Sequence, residues 1–225
     1  MVEIERWMEE LAGRLAERFG PRLLFLGLQG SYGRGEANED SDIDVVTVLD
    51  RVELSDLDLY RAVVGDMSEG EKACGFLCGA EELESWPKYD LCQLARDTRD
   101  VHGRLKPLLP PLGREDLAEA AAIGASGLYH AAVHTYLYAP REEWPGFLKE
   151  AHKSVFFTLR ALYELRTGEN LRAKGELLSR LEGDEREILE YGLSPTGEPL
   201  EDAFARLIRW SGAVLAEAAE KALPE

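Results

Sequence analysis

The sequence Gly30-Ser31-Tyr32-Gly33-Arg34-Gly35, followed after a short polar stretch by Ser41-Asp42-Ile43-Asp44-Val45-Val46, decides the fold of this chain. Apolar runs at residues 23–28 and 43–49 flank these polar positions. Short apolar and β-branched runs bounded by glycine and polar clusters are typical of buried strands. The polar residues are therefore predicted to lie at strand ends.

The acidic pair of this stretch is suited to holding a metal ion. Asp42 and Asp44 are two residues apart, so on a strand their side chains project from the same face, with Cα atoms about 6.5 Å apart. Hard oxygen ligands favour Mg²⁺, which typically takes one or two protein carboxylates together with substrate phosphates. The sequence predicts a Mg²⁺ site at Asp42 and Asp44.

The turn before this pair has the residues that a phosphate group requires. Gly30 lets the backbone approach a ligand closely, and the Ser31 hydroxyl can donate a hydrogen bond. Gly30 and Ser31 are thus the expected nucleotide-binding residues.

Taken together, the Gly-Ser pair, the further glycine at Gly33 and the Asp-x-Asp of Asp42 and Asp44 resemble the signature of the nucleotidyltransferase superfamily that contains the polymerase-β-like enzymes. The resemblance implies a Mg²⁺-dependent enzyme that transfers a nucleoside monophosphate to a hydroxyl group and releases pyrophosphate. ATP is the nucleotide expected on this basis, with AMP as the transferred group.

Members of this superfamily use a third acidic residue, and the sequence leaves three candidates for it. We favour Asp90, because it follows Tyr89, opens an apolar run and lies about 45 residues after the acidic pair. Asp90 could instead be the N-cap of a helix that begins at Leu91. Asp97 and Glu71 remain alternatives.

The charge of the chain bears on what such an enzyme could act on. With 26 basic and 43 acidic residues, the formal net charge is −17, and neither half is basic. A protein that grips a nucleic-acid backbone needs a cationic surface, so nucleic acid is not an expected partner. The balance favours a small cationic acceptor, although acidity that serves solubility is an equal explanation.

The sequence also predicts where the protein works. No signal-peptide pattern opens the chain, and no apolar run approaches the 18 or so residues of a membrane span. We expect a cytoplasmic monomer or homodimer without a membrane partner.

The distribution of periodic segments predicts two domains. Residues 1–110 are expected to form an α/β (α+β) nucleotidyltransferase domain with a small mixed sheet, and residues 111–225 an all-α helical bundle, with the ligand cleft between them. The first domain is predicted to contain helices at 2–19, 55–66 and 80–86 and strands at 23–28, 42–49 and 72–78, with 89–95 ambiguous between the two. The second is predicted to contain helices at 115–138, 143–166, 171–181, 184–191 and 200–222, with breaks that include Ser194-Pro195.

Several segments of the later chain resemble the aminoglycoside adenylyltransferases of the streptomycin and spectinomycin type. The segments that carry this resemblance are Ala95-Arg96-Asp97, Val101-His102-Gly103, Glu115-Asp116, Thr158-Leu159-Arg160-Ala161-Leu162-Tyr163, Thr167-Gly168 and Lys174. The resemblance implies an aminoglycoside-like acceptor and a basic residue, Lys174 or Arg160, near the triphosphate. Those enzymes place their catalytic glutamate in a strand that corresponds to residues 71–79, where this chain has no central acid.

Two other functions remain open. One is a toxin–antitoxin-type nucleotidyltransferase that AMPylates a protein, and the other is a non-catalytic nucleotide-binding module. The intact Asp42 and Asp44 argue against the latter.

A pair of histidines has metal-ligand spacing. His130 and His134 are one helical turn apart on one face, but no glutamate follows His130, and the neighbouring Tyr129, Val133 and Leu137 indicate a packed helix. We expect core or interface histidines.

Overall fold

The computed structural model describes residues 2–193 and 197–221. Within them, one sheet has four strands: β1 (Leu23–Leu28), β2 (Ile43–Leu49), β3 (Ala73–Gly79) and β4 (Arg99–His102). The strand order is β3-β2-β1-β4. β1 pairs antiparallel with both β2 and β4, while β2 and β3 are parallel. The expected small mixed sheet is confirmed.

Five helices accompany this sheet: α1 (Ile4–Phe19), α2 (Gly30–Arg34), α3 (Leu54–Gly65), α4 (Ala80–Glu84) and α5 (Lys88–Asp97). The apolar residues of α1 recur at three- and four-residue spacing, and those at Met8, Leu11 and Leu15 are almost fully buried. They join the core residues of β1 and β2 in one cluster. This core fixes the two strands whose ends carry the polar motif.

In this part of the chain, the structure resolves one ambiguous segment and adds a strand that was not predicted. The ambiguous residues 89–95 are helical and belong to α5. The strand β4 was not predicted, because its four residues, Arg99–His102, include a single apolar side chain and form too short a run to give a strand pattern. β4 forms through its pairing with β1, which is a long-range contact.

The later chain is helical, as predicted. It contains α6 (Arg114–Tyr138), α7 (Trp144–Thr167), α8 (Lys174–Arg180), α9 (Gly183–Leu193) and α10 (Leu200–Lys221). An apolar cluster joins these five helices through residues that include Leu128, Phe156, Leu177, Ile188 and Phe204. The predicted break at Ser194-Pro195 and the predicted helix end at residue 222 lie outside the described residues.

The chain divides into two compact units. The first comprises Met1–Pro87 and Leu94–Pro111, and the second comprises Lys88–Gln93 and Leu112–Glu225. α5 therefore begins in the second unit and ends in the first. No helix in the described ranges is both long and apolar enough to cross a membrane.

The histidine pair of α6 does not lie in a core. His130 and His134 are both exposed, because the buried residues of α6 lie on the opposite side of the helix, at positions such as Ala125, Leu128 and Ala132. The expectation of core histidines was wrong, and an interface role is untested.

Candidate active site

The polar motif lies where β1 ends and β2 begins. Leu28 pairs with Val45 in the antiparallel register. The Gln29 backbone N–H then donates to the Asp44 backbone carbonyl at 2.8 Å, and α2 starts at Gly30. Because the two strand ends are held side by side, the Gly-Ser turn lies directly against Asp44.

Gly30 is in close contact with the Asp44 side chain. Its backbone has a φ of +65°, a conformation that L side chains rarely adopt, and a Cβ atom added there would lie 1.8 Å from Asp44 Oδ2. No residue other than glycine fits at position 30 while the Asp44 carboxylate keeps its place. This contact joins the two halves of the motif.

The acidic pair is electrostatically suited to a cation. Asp44 is partly buried and Asp42 is exposed. Burial raises the pKa of the Asp44 carboxyl above its usual range, and the neighbouring Asp42 and Asp97 raise it further while Arg34 opposes them. A divalent cation bound here would offset the repulsion between the carboxylates, and their oxygens are ligands that Mg²⁺ prefers. The donor set of Asp42 and Asp44 therefore fits Mg²⁺.

A hydrogen-bonded turn precedes Asp42. The Asn38 N–H donates to Ser41 Oγ at 2.9 Å, and the Asp40 N–H donates to Asn38 Oδ1 at 2.9 Å. This turn holds the chain just before the acidic pair. Local order at Asp42 therefore depends on short polar side chains, which explains the polar stretch between the two apolar runs.

Asp97 is an acidic residue that contacts the Gly-Ser turn. It is 3% exposed, and its Oδ2 accepts a hydrogen bond from the Gly30 N–H at 3.3 Å. Arg34 donates to both Asp97 carboxylate oxygens, at 2.9 and 3.2 Å, and both side chains of this ion pair are buried. Asp97 thus ties the Gly-Ser turn and α2 to the end of α5.

Asp90 and Glu71 have different surroundings. Asp90 is exposed in the first turn of α5, which begins at Lys88, so it is not the N-cap of a helix starting at Leu91. It belongs to the second unit. Glu71 is exposed in the turn before β3.

The sheet register identifies the side chain next to Asp44 on the neighbouring strand. Cys74 pairs with Asp44 in the parallel register of β2 and β3, and its thiol is exposed. In the described ranges, no group of three or more acidic, histidine or cysteine side chains is arranged to hold a metal ion. The pair Asp42 and Asp44 is therefore the carboxylate set that the site offers.

Arg34 is a site residue that the sequence reasoning passed over. Its side chain is 6% exposed, and besides Asp97 it donates to Glu36 Oε2 at 2.9 Å. The available signal was its position four residues after Gly30, on the helix that follows the Gly-Ser turn. Its acidic partner is 63 residues away in sequence, which periodicity does not reveal.

The basic candidates of the second unit lie around one aromatic cluster. Lys174 is the first residue of α8, and its Nζ lies 5.7 Å from the centre of the Phe156 ring. The guanidinium of Arg160, a buried residue of α7, lies 5.3 Å from the Phe156 ring and 5.5 Å from the Phe157 ring. Both cations are therefore held over aromatic faces, in contacts that attract a positive charge to a ring.

Comparison with known proteins gives a family match and a similar fold. Residues 8–98 match the family model described as a nucleotidyltransferase domain. A spectinomycin adenyltransferase of Enterococcus faecialis, solved with ATP and spectinomycin, superimposes with a TM-score of 0.56 and 15% identity, over 94% of this chain and 98% of that one. A nucleotidyltransferase-like protein from Exiguobacterium sibiricum gives a TM-score of 0.38 and 12% identity, over 97% of this chain and 77% of that one, too weak a likeness to carry an argument. No curated protein matches the sequence significantly.

Proposed function

We propose that the chain transfers AMP from ATP to a hydroxyl group of a small cationic acceptor, releasing pyrophosphate; the match of residues 8–98 to the nucleotidyltransferase domain model supports this. The observation that carries this proposal is the contact between Gly30 and Asp44, which leaves no room for a side chain at position 30. It sets a phosphate-sized turn against a carboxylate pair that fits Mg²⁺.

The proposed roles follow from the positions of the groups. Asp42 and Asp44 would hold Mg²⁺, which when bound stabilises negative charge on the oxygens of the transferring phosphate. Gly30 would let the backbone approach the β- and γ-phosphates, and the Ser31 hydroxyl would donate to them. Lys174 of the second unit is the proposed basic residue near the triphosphate.

The proposed reaction is an in-line displacement. The acceptor oxygen forms a bond to the α-phosphorus of ATP, the bond from that phosphorus to the pyrophosphate oxygen breaks, and pyrophosphate leaves. Asp90 is the proposed acceptor of the hydroxyl proton, since its carboxylate is exposed. Asp97 is proposed as a positioning residue, because its oxygens already accept from Gly30 and Arg34.

The nature of the acceptor rests on charge and on the fold. A chain of net charge −17 attracts cations and repels polyanions. The fold is shared with an adenyltransferase that was solved with spectinomycin. We therefore propose an aminoglycoside or a similar amine as acceptor, and no nucleic-acid substrate.

A non-catalytic nucleotide-binding module is the second candidate. It is favoured by the observation that, among the residues described, no third metal-ligating side chain joins Asp42 and Asp44. Such a module would bind ATP with Mg²⁺ and release no pyrophosphate.

The two candidates are separated by pyrophosphate release. We expect the full chain, given ATP and Mg²⁺, to release pyrophosphate only when an acceptor such as spectinomycin or streptomycin is added. The Asp42→Asn variant is expected to lose most of this turnover. ATP binding without release, across a panel of cationic acceptors, would favour the binding module.

A further inference from the structure

The exposed face of α6 carries a pair of imidazoles that the proposed function does not use. His130 and His134 lie one helical turn apart, both exposed to solvent. Their ring centres are 6.1 Å apart, and the ring planes are tilted by 43°. The two rings are thus neighbours on a surface that is open to a ligand.

We propose that His130 and His134 form a binding site for a borderline transition-metal dication, of the class Ni²⁺, Cu²⁺ and Zn²⁺. Histidines at positions i and i+4 of a helix present two ring nitrogens to one ion, and neutral imidazole suits these metals. When two imidazoles bind one ion at nitrogen distances of about 2.0–2.1 Å, their ring centres lie roughly 5 Å apart. The observed separation is about 1 Å longer, which small rotations of two exposed side chains remove.

The sequence of α6 around the two histidines favours these metals over hard cations. Residues 120–140 contain no Asp, Glu, Lys or Arg. No ammonium or guanidinium group on this stretch of α6 repels a cation, and no carboxylate on it offers the oxygens that Mg²⁺ and Ca²⁺ require. The net charge of −17 raises the concentration of cations near the whole surface.

The next turn of the helix supports the arrangement. The Tyr138 ring lies 5.1 Å from the His134 ring, so the imidazole of His134 has an aromatic neighbour on its C-terminal side. Such a contact limits the orientations of the imidazole, which lowers the entropy lost when it binds a metal. Two protein ligands leave the other coordination positions to water, so the ion should exchange readily and leave on addition of a chelator.

The site is tested by titrating Ni²⁺ into the untagged full chain by calorimetry. The Cys74→Ser background removes an exposed thiol that also binds such metals. Excess Mg²⁺ keeps the carboxylate pair occupied. We expect one Ni²⁺ per chain, and a loss of affinity of about 10²-fold in His130→Gln and in His134→Gln, because two linked ligands bind far more tightly than one.

A matched control is available on the same chain. His102 of β4 is an exposed histidine without a second imidazole one turn away, so His102→Gln should bind Ni²⁺ as the parent does. Thermal unfolding gives a second readout, since Ni²⁺ should raise the Tm of the parent and of His102→Gln but not that of the two α6 variants. The proposal is overturned if His134→Gln keeps the affinity of the parent, or if His102→Gln loses it.

Discussion

At the scale of single residues, the position of the Asp44 carboxylate depends on the absence of a side chain at Gly30. Residues 29–42, which include α2, connect β1 to β2, and the Asp44 carboxylate occupies the space where a side chain of residue 30 would be. Gly35, at the end of the same short helix, also has a positive φ of +73°, but nothing lies within 4 Å of the position its Cβ would take. Substitution at Gly35 therefore introduces backbone strain alone, whereas substitution at Gly30 introduces strain and a clash with Asp44.

We predict that Gly30→Ala abolishes nucleotidyl transfer while Gly35→Ala does not. A methyl group at position 30 displaces the Asp44 carboxylate, and a misplacement of about 1 Å at a reacting centre can reduce the rate by about 10²-fold. At position 35 the cost is confined to strain, about 1–2 kcal/mol of stability. Steady-state transfer rates and urea unfolding of both variants test this.

One result would contradict the prediction for these two glycine variants. If Gly30→Ala and Gly35→Ala lose activity to the same extent, the contact between residue 30 and Asp44 has no special role. Equal loss would assign the effect to the positive φ alone.

We expect Asp97→Asn to lower stability and Asp90→Asn to lower the rate of transfer. Asp97→Asn removes one of the carboxylates that the buried Arg34 guanidinium contacts, Glu36 being another, and removing one member of a buried pair typically costs about 3–5 kcal/mol of stability. Asp90 is exposed, so Asp90→Asn should leave stability unchanged and slow transfer. Denaturant midpoints and single-turnover rates are the measurements.

Either role can be refuted by these two variants. Full transfer activity in Asp90→Asn removes Asp90 as the proton acceptor. Wild-type stability in Asp97→Asn would show that the ion pair with Arg34 does not hold α2 in place.

At the scale of elements, the sequence predicted the structure well where one segment carries its own pattern. The helices α1, α6, α7 and α10 have apolar residues at helical spacing, and β1 and β2 are short apolar runs bounded by glycine and polar residues. The positions of Asp42, Asp44 and Gly30 near the ends of β1 and β2 were predicted from these runs. β4 was missed because four residues give no period, and its pairing with β1 is set by tertiary contact.

The neighbours of Asp44 were hard to predict for the same reason. Pairing of Leu28 with Arg99 brings the end of α5 to the Gly-Ser turn, and this places Asp97 there. Linear spacing favoured Asp90, seven residues earlier on the same helix. The identity of an acid's neighbours depends on strand pairing, which one sequence does not specify.

A buried histidine where α7 packs on α9 leads us to expect that stability depends on pH. His152 of α7 is 1% exposed, and its Nδ1 donates to the Leu148 carbonyl at 2.6 Å. Its ring lies 4.5 Å from that of Tyr191 on α9. Burial lowers the pKa of His152 below 6.5, and the nearby Arg206 lowers it further, while the Leu148 carbonyl and Glu198 oppose this.

Because the folded state favours neutral His152, the unfolded state binds more protons below a pH of about 6.5. We expect the free energy of unfolding to fall as the pH is lowered from about 7.5 to about 5.5, a range above the pKa values of ordinary carboxylates. The slope should be smaller in His152→Gln and unchanged in the exposed control His102→Gln. Urea unfolding at both pH values tests this, and equal slopes in all three proteins would exclude His152 as the cause.

At the scale of the whole molecule, we expect the excess of acidic residues to favour a cationic acceptor. Both units are acidic, and their combined charge is −17. A cationic acceptor is attracted to such a surface, and dissolved salt screens that attraction over a Debye length of about 10 Å at 0.1 M. A nucleic acid meets repulsion at the same surface.

We predict that the KM for a cationic acceptor rises with ionic strength while kcat stays constant, because salt weakens the attraction between acceptor and protein without touching the bound complex. A neutral acceptor should show no such rise. Labelled single-stranded and duplex DNA should not bind to the full chain at about 0.15 M salt. Tight DNA binding, or a KM independent of salt, would contradict the prediction that the negative charge of the protein attracts a cationic acceptor and repels nucleic acid.

We propose that the Asp42 and Asp44 pair, set against Gly30, supports nucleotidyl transfer. Its most direct test is to follow the labelled α-phosphate of ATP onto spectinomycin in a single turnover, with wild-type protein and Asp44→Asn measured side by side in Mg²⁺. We predict a labelled spectinomycin product with the wild type and a rate reduced by at least about 10²-fold with Asp44→Asn. Equal rates of transfer by the two proteins would show that nucleotidyl transfer does not depend on the Asp44 carboxylate.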